Sequence, residues 1–313
     1  MPAVWVKSAR YGVENSWIDV TQVVNALLIH ADGVPVSNQL GGDPLPGVPK
    51  LLRCELHDGR RVEYAEGETA FWEPIDVANL VYHVCPLSRG RKTWQDNIRL
   101  LRQYAHWVNG KRVVSVVQGD GCDNLDSVLA EFGDFRIDKL VVRLNSELWE
   151  MATFPAAIQH VASLAANEAV FYAHAKGVSH QGDELKAAMI WTRAMMVFLF
   201  GNRRKVLEKL GRYTTVGSFK ESDGAFNANW HFSGTFFAIR NDRLFAQPNW
   251  RPVNMHRYFI EFYPATMFPA HEAFNLCPVP RPRSWLDYGQ WQAVEAELAA
   301  AEERWLSAAD GLD

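Results

Sequence analysis

The chain lacks any Cys-x-x-Cys pair. Its four cysteines, Cys54, Cys85, Cys122 and Cys277, stand far apart. That spacing excludes a structural zinc knuckle and a redox dithiol as expected functions, and leaves the thiols as reduced core residues. Excess charge of one sign is also missing: 32 Lys and Arg against 36 Asp and Glu give a formal net charge of -4. No electrostatic footprint of a nucleic-acid binder is present, so nucleic acid is not an expected partner. The two basic runs, Arg89–Lys92 and Asn202–Lys205, are short and read as solvated helix ends. No apolar run approaches the roughly 18 residues needed to cross a bilayer, and no positively charged, apolar leader stands at the start. The expectation is a soluble, cytoplasmic protein without a transmembrane segment. Absent too are the Walker and Rossmann glycine patterns, the Gly-x-Ser-x-Gly elbow and the His-Glu-x-x-His zinc motif, although His271-Glu272 begins like the last. No internal repeat occurs, and compositional bias is confined to the Ala- and Glu-rich end.

What is present divides in two. At 313 residues the chain is long enough for one large core and a satellite. Residues 1–76 carry short apolar runs between turn formers, as in Val4-Trp-Val6, Trp17-Ile-Asp-Val20, Leu51–Leu56 and Arg61–Tyr64, which predicts a small all-β domain. His57-Asp-Gly-Arg60 carries a tight-hairpin signal. Gly41–Pro49, with three prolines and three glycines, is excluded from helix.

Residues 77–313 alternate strands with amphipathic helices, the pattern of an α/β sheet. Predicted strands are Leu80–Val84, Arg112–Val117, Lys139–Arg143, Ala169–Tyr172 and Thr214–Gly217. Trp94, Ile98, Leu101, Ala105 and Val108 recur at helical spacing, with Thr93 and Asp96 as a cap and Gly110 as a stop. A second helix is expected after Asn145-Ser146, carrying Trp149, Phe154, Ile158 and Val161. A third runs from about Glu184 to Leu210, and a last amphipathic helix carries Trp291, Val294, Leu298 and Trp305.

Chemistry-bearing residues gather where strands end, the edge at which open α/β sheets bind ligands. The run Ala169–His180 breaks a buried-strand pattern with His174, Lys176 and the permissive Gly177, a set suited to an anionic diphosphate. Here a fixed cation supplies the charge compensation that a divalent metal often gives. No Asp-x-Asp stands at this edge, so metal use is left open. After Val117, two glycines bracket Asp120, an acceptor for a base or ribose; the competing reading is an Asp-Gly turn with Asp123 capping the next helix. A third group is Asn229–Arg240, where Trp230, His231 and Gly234 are candidates to wall a sugar-sized pocket. Beyond it, Glu261, flanked by Phe262 and Tyr263, and Glu272 are candidate proton acceptors, since apolar surroundings raise a carboxylate's pKa. A structural salt bridge or helix cap is the alternative for both.

These motifs, in order, resemble a group of bacterial glycosyltransferase-like proteins of the GT-A type associated with polysaccharide or glycoconjugate assembly. The likeness rests on Asn109–Arg112 leading to Gly119-Asp-Gly121, on Phe171–Val178 in the place of a Tyr-x-His-Thr-Lys-Gly strand end, and on Trp191 with Arg193. It continues through Val216-Gly217, Trp230–Phe237 with Arg240-Asn241, Arg257–Glu261 and Phe268–Ala273, spanning roughly residues 78 to 278. The strand-end motif is also similar to that of rhamnan-synthesis-type proteins, with Ala175 where Thr is expected. The segment from Arg10 to Lys50 resembles a β-sandwich module that accompanies unrelated proteins.

The resemblance implies a GT-A-like, Rossmann-like mixed sheet flanked by helices after a small all-β domain. It implies a nucleotide-sugar donor as substrate and a glycan or other hydroxyl acceptor. Asp120 then lies near the nucleoside, His174, Lys176 and Gly177 near the diphosphate, and Glu261 or Glu272 near the acceptor hydroxyl. Without the Asp-x-Asp, the expectation is a transferase that uses cations in place of a bound metal. The rivals are a noncatalytic glycan-binding or assembly protein on the same fold, and a phosphotransferase.

Overall fold

The computed structural model describes residues 6–30, 33–56, 59, 61–71, 75–88, 93–180, 182–224, 228–252, 256–282 and 288–309. The basic run Arg89–Lys92 and, apart from Gly59, the hairpin signal at His57–Arg60 lie outside these residues. Two compact units are present: Met1–Pro74 with Gly211–Tyr213, and Ile75–Leu210 with Thr214–Asp313.

In the first unit, β1 (Val6–Val13), β2 (Ser16–Asp19), α1 (Thr21–His30), β3 (Val34–Pro35), β4 (Leu51–Leu56), β5 (Arg61–Ala65) and β6 (Thr69–Ala70) follow in order. The sheet order is β2-β1-β4-β5, antiparallel throughout, and β3 pairs with β6. The expectation of an all-β domain is corrected here by α1. Asp19 Oδ1 accepts the Thr21 main-chain N–H at 2.9 Å, and the helix buries Val24 and Leu28. Short apolar runs fit strand and helix alike. The Gly41–Pro49 stretch is helix-free, and Lys50 behind it is buried against Asp43 at 2.7 Å.

The second unit runs β7 (Val77–Val84), α2 (Thr93–Tyr104), β8 (Arg112–Gln118), α3 (Leu125–Phe132), β9 (Lys139–Leu144), α4 (Phe154–Gln159), β10 (Glu168–His174), α5 (Gly182–Met196) and α6 (Arg203–Leu210). It continues with β11 (Thr215–Gly217), β12 (Lys220–Glu221), β13 (His231–Phe232), β14 (Phe237–Arg240), α7 (Asn241–Phe245), α8 (Phe259–Phe262), β15 (Ala273–Asn275) and α9 (Tyr288–Ala309). Seven strands form one mixed sheet in the order β15-β11-β14-β10-β7-β8-β9, in which β14 alone runs antiparallel to its neighbours.

The central strands are buried on both faces, which is why β7 and β10 read as near-continuous apolar runs rather than alternating ones. Period-two geometry still sorts their side chains. Val81, Val113, Val170 and Tyr172 pack with Phe154, Ile158, Phe259 and Ile260 from α4 and α8 in one core. Phe171 turns the other way, onto Trp107 and Phe200.

Two expected helices differ. The one after Asn145-Ser146 is a 3-10 turn, Trp149–Ala152, followed by the six-residue α4, and Trp149 is held at φ 49°. The long Glu184–Leu210 helix is interrupted by a π-helical turn at Val197–Gly201 and ends before Asn202, where α6 begins afresh. In α9, Trp291, Val294 and Leu298 are buried as expected, while the side chain of Trp305 is outside the described part. No helix among the described residues is long and apolar enough to cross a membrane.

Candidate functional site

The carboxyl ends of β7 and β10 lie side by side, with His83 and His174 paired in register. Because His83 follows Val81 by two residues and His174 follows Tyr172 by two, both imidazoles continue the sheet face that carries α4 and α8. The antiparallel β14 brings its own amino end to this edge. The chain arrives there through a turn at Gly234 (φ 95°) and Thr235 (φ 67°), and the Gly234 carbonyl accepts from His174 Nε2 at 3.1 Å. Position 234 has room for no side chain: a Cβ there would lie 2.4 Å from Met195 Sδ and 2.8 Å from the Trp191 ring.

The other ring nitrogen of His174, Nδ1, lies 3.1 Å from Glu150 Oε2. Tyr172 hydroxyl donates to the same carboxylate oxygen at 2.9 Å. Burial pushes the Glu150 carboxyl up to about 7, against the opposing pull of Lys176, the Tyr172 hydrogen bond and Arg257; Glu261 adds to the rise. Burial likewise holds the His174 imidazole well below its ordinary value, with the Lys176 charge acting in the same direction. Glu150 reaches this place because the 3-10 turn after β9 carries it over the strand ends. Sequence reasoning missed it. Only the adjacent Trp149 stood out there, as a residue of the expected helix.

Lys176, two residues past β10, points its ammonium between an aromatic ring and a carboxylate. Nζ stands 4.2 Å from the Trp191 ring centroid and 3.9 Å from Glu261 Oε1. Its pKa is lowered by burial, and Glu261 and Glu150 oppose that shift. The loop beneath is fixed by Asn97, whose Nδ2 donates to the Lys176 carbonyl at 3.0 Å. Gly177 (φ 77°) lets the chain turn close to Ala188. From the α8 side, Arg257 lies over the rings of Trp149 and Tyr258, at 4.6 and 4.5 Å. Together these groups enclose a cavity of about 310 Å³, with His83, Glu150, His174, Lys176, Arg257 and Glu261 on its wall.

At its edge His83 is 2% exposed, with Nδ1 2.9 Å from Thr153 Oγ1 and 3.2 Å from Ser115 Oγ. Burial lowers its pKa to about 3, so the ring is neutral.

The structure thus brings together four of the sequence-derived candidates, His174, Lys176, Gly177 and Glu261, in the wall of one cavity. Gly234 stands behind them as the His174 partner. Trp230 and His231 do not border the cavity. Trp230 is buried against Phe232 and donates to the Phe268 carbonyl at 2.9 Å, and His231 is buried in β13 with Asp223 3.8 Å away. Glu272 lies at the amino end of β15, which runs in the direction of β10, so it stands at the opposite edge of the sheet, where Thr214 Oγ1 donates to it. Asp120 is exposed just past the carboxyl end of β8, outside the cavity wall. Its neighbour Asp123 does not cap α3; Asn124 does, accepting from Ser127 N at 2.8 Å, while Asp123 accepts from Trp94 Nε1 at 3.0 Å.

A larger groove of about 540 Å³ runs between α2, α5 and α9. Along its rim Asp96 pairs with Arg99 at 3.4 Å and Arg193 with Glu302 at 2.6 Å. Among the described residues no group of three or more His, Cys, Asp or Glu side chains is placed to hold a metal ion.

No family model matches the chain, and no curated protein matches it. Among solved structures, a nucleotide-diphospho-sugar transferase from Desulfovibrio desulfuricans G20 is similar at 12% identity and a TM-score of 0.31, over 73% of this chain and 97% of that one. A 4-diphosphocytidyl-2C-methyl-D-erythritol synthase is similar at 10% identity and a TM-score of 0.35, over 72% and 100%. At these values the likeness assigns no role to any residue of the chain.

Proposed function

We propose that the strand-end cavity receives the diphosphate of a nucleotide sugar and that the protein transfers the sugar to a hydroxyl acceptor. One observation carries the reading: a half-buried ammonium, Lys176, and a carboxylate, Glu261, face each other at 3.9 Å in a cavity at the carboxyl edge of parallel strands. With Arg257 beside them, the wall offers two cations to a departing diphosphate. In the step itself the acceptor oxygen bonds to the anomeric carbon, and the bond from that carbon to the diphosphate oxygen breaks with its electron pair. The acceptor's proton passes to the Glu261 carboxylate. Glu272, across the sheet, has no part in this reading. Asp120, on the neighbouring strand end, is the candidate contact for the nucleoside.

The noncatalytic glycan-binding alternative is less well supported. Its natural grip is sugar stacking on aromatic faces, and the Trp149, Tyr258 and Trp191 rings at the cavity already carry Arg257 and Lys176.

The test is a mass-spectrometric screen of nucleotide sugars, incubated with and without manganese. The proposal expects slow hydrolysis of at least one donor to sugar and nucleoside diphosphate, lost in Lys176→Ala. Phosphate transfer without cleavage at the anomeric carbon points to a phosphotransferase instead, and no turnover of any donor contradicts the proposal.

A further inference from the structure

Among the described residues His83, on the cavity wall, has one ring nitrogen hydrogen-bonded and the other without a partner. Its Nδ1 meets two hydroxyls, and both spend their own hydrogens elsewhere: Thr153 Oγ1 donates to the Glu150 carbonyl at 3.2 Å and Ser115 Oγ to the Tyr82 carbonyl at 3.5 Å. With those hydrogens directed to the carbonyls, each hydroxyl presents a lone pair to the ring, which assigns the ring hydrogen to Nδ1. In a neutral imidazole that leaves Nε2 as a bare acceptor. Among the described residues Nε2 has no hydrogen-bond partner, although it is fully buried and its ring borders the cavity. Buried polar atoms are almost always paired, so an orphan acceptor in a binding cavity calls for a donor from outside the protein.

The surroundings decide what kind of donor. A cationic amine is opposed by Lys176 and Arg257 in the same wall. An ionised phosphate oxygen is itself an acceptor and meets a lone pair with a lone pair. A neutral hydroxyl satisfies both constraints. We propose that His83 Nε2 is a recognition atom of this cavity, accepting a hydrogen bond from a hydroxyl of the bound ligand and thereby selecting a polyol such as a sugar ring. The inference rests on the function proposed above and adds to it a separation of tasks. Lys176 and Arg257 meet the anionic part of the ligand, and His83, on the β7 strand end, meets its neutral sugar part.

The separation is tested by calorimetry with two probes: inorganic pyrophosphate, and the 1-phosphates of glucose, galactose and mannose. The variant is His83→Asn, whose side-chain amide keeps a donor near the Nδ1 position for Thr153 and Ser115 but has nothing at Nε2. The expected result is a loss of about tenfold in affinity for a sugar 1-phosphate that the wild type binds, with pyrophosphate binding unchanged. Equal losses for both probes, or no loss for either because a water serves Nε2, overturn the inference while leaving the proposed function standing. If the wild type binds pyrophosphate but none of the sugar phosphates, the inference alone fails; if it binds neither, both fail. A measurement on the unaltered protein removes any dependence on how the variant folds. Nitrogen-15 NMR of the histidines is expected to show His83 as the Nδ1–H tautomer, with an Nε2 resonance that moves on adding the sugar phosphate and stays put with pyrophosphate. A protonated Nε2 contradicts the assignment.

Discussion

His174 Nδ1 lies 3.1 Å from Glu150 Oε2 while His174 Nε2 lies 3.1 Å from the carbonyl oxygen of Gly234, and the two contacts together fix a proton. A carbonyl only accepts, so Nε2 carries a hydrogen. Were Nδ1 bare and Glu150 ionised, two lone pairs would face each other in a buried setting. One proton therefore sits between Glu150 and His174, and burial, which disfavours both charged forms, places it on the carboxyl. With that pair neutral, Lys176 and Arg257 outnumber Glu261 on the cavity wall.

The trapped proton has a sign that can be checked. The Glu150 pKa is raised to about 7 in the folded protein, above its ordinary 4.5. Its contribution to stability is complete below the unfolded pKa and is lost as pH rises through the folded one. His174 and His83, held neutral by burial, work the other way and lower stability as pH falls below their ordinary 6.5. Glu150→Gln isolates the first effect, because the amide can donate to Nδ1 at any pH. Thermal unfolding is expected to show the variant gaining on the wild type between pH 5 and pH 8, by an amount on the order of 3 kcal/mol at most. A difference that does not change with pH contradicts the protonated carboxyl.

Gly234→Ala is expected to be costly. The new methyl meets Met195 and the Trp191 ring in a backbone conformation, φ 95°, that side chains rarely adopt. A loss on the order of 3 kcal/mol follows, read as a lower denaturant midpoint. Gly121→Ala, also at positive φ but with open space around it, is the control and is expected to lose less.

Asp120→Ala separates the two ends of the proposed donor. Exposed beyond β8 and outside the cavity wall, Asp120 is expected to matter for nucleoside diphosphates and not for pyrophosphate. Calorimetry with both probes checks this, and an unchanged nucleotide affinity removes Asp120 from the site.

Much of this arrangement is visible in the sequence, and the limits have physical reasons. His174, Lys176 and Gly177 stood out because a buried strand ended in them, and strand ends are read from one local pattern. Glu150 did not, since nothing near it in sequence shows that a 3-10 turn lifts it over the edge of β10. His83 was hidden inside an apolar run, and its open Nε2 depends on Thr153 and Ser115, 70 and 32 residues away. Trp230 and His231 have the composition of a pocket wall, yet the turn at Gly234 separates β13 from β14 and both residues lie in the core. Glu261 and Glu272 looked equivalent in sequence. The direction of β15 places them at opposite edges of the sheet.

The most direct test of the account is a calorimetric titration of the protein with the common nucleoside diphosphates, repeated on Lys176→Ala. The account predicts that at least one binds the wild type and that the substitution weakens it by about tenfold or more, as expected for a charge-assisted contact in a buried site. Failure of every nucleoside diphosphate to bind at millimolar concentration, or binding indifferent to Lys176, contradicts it.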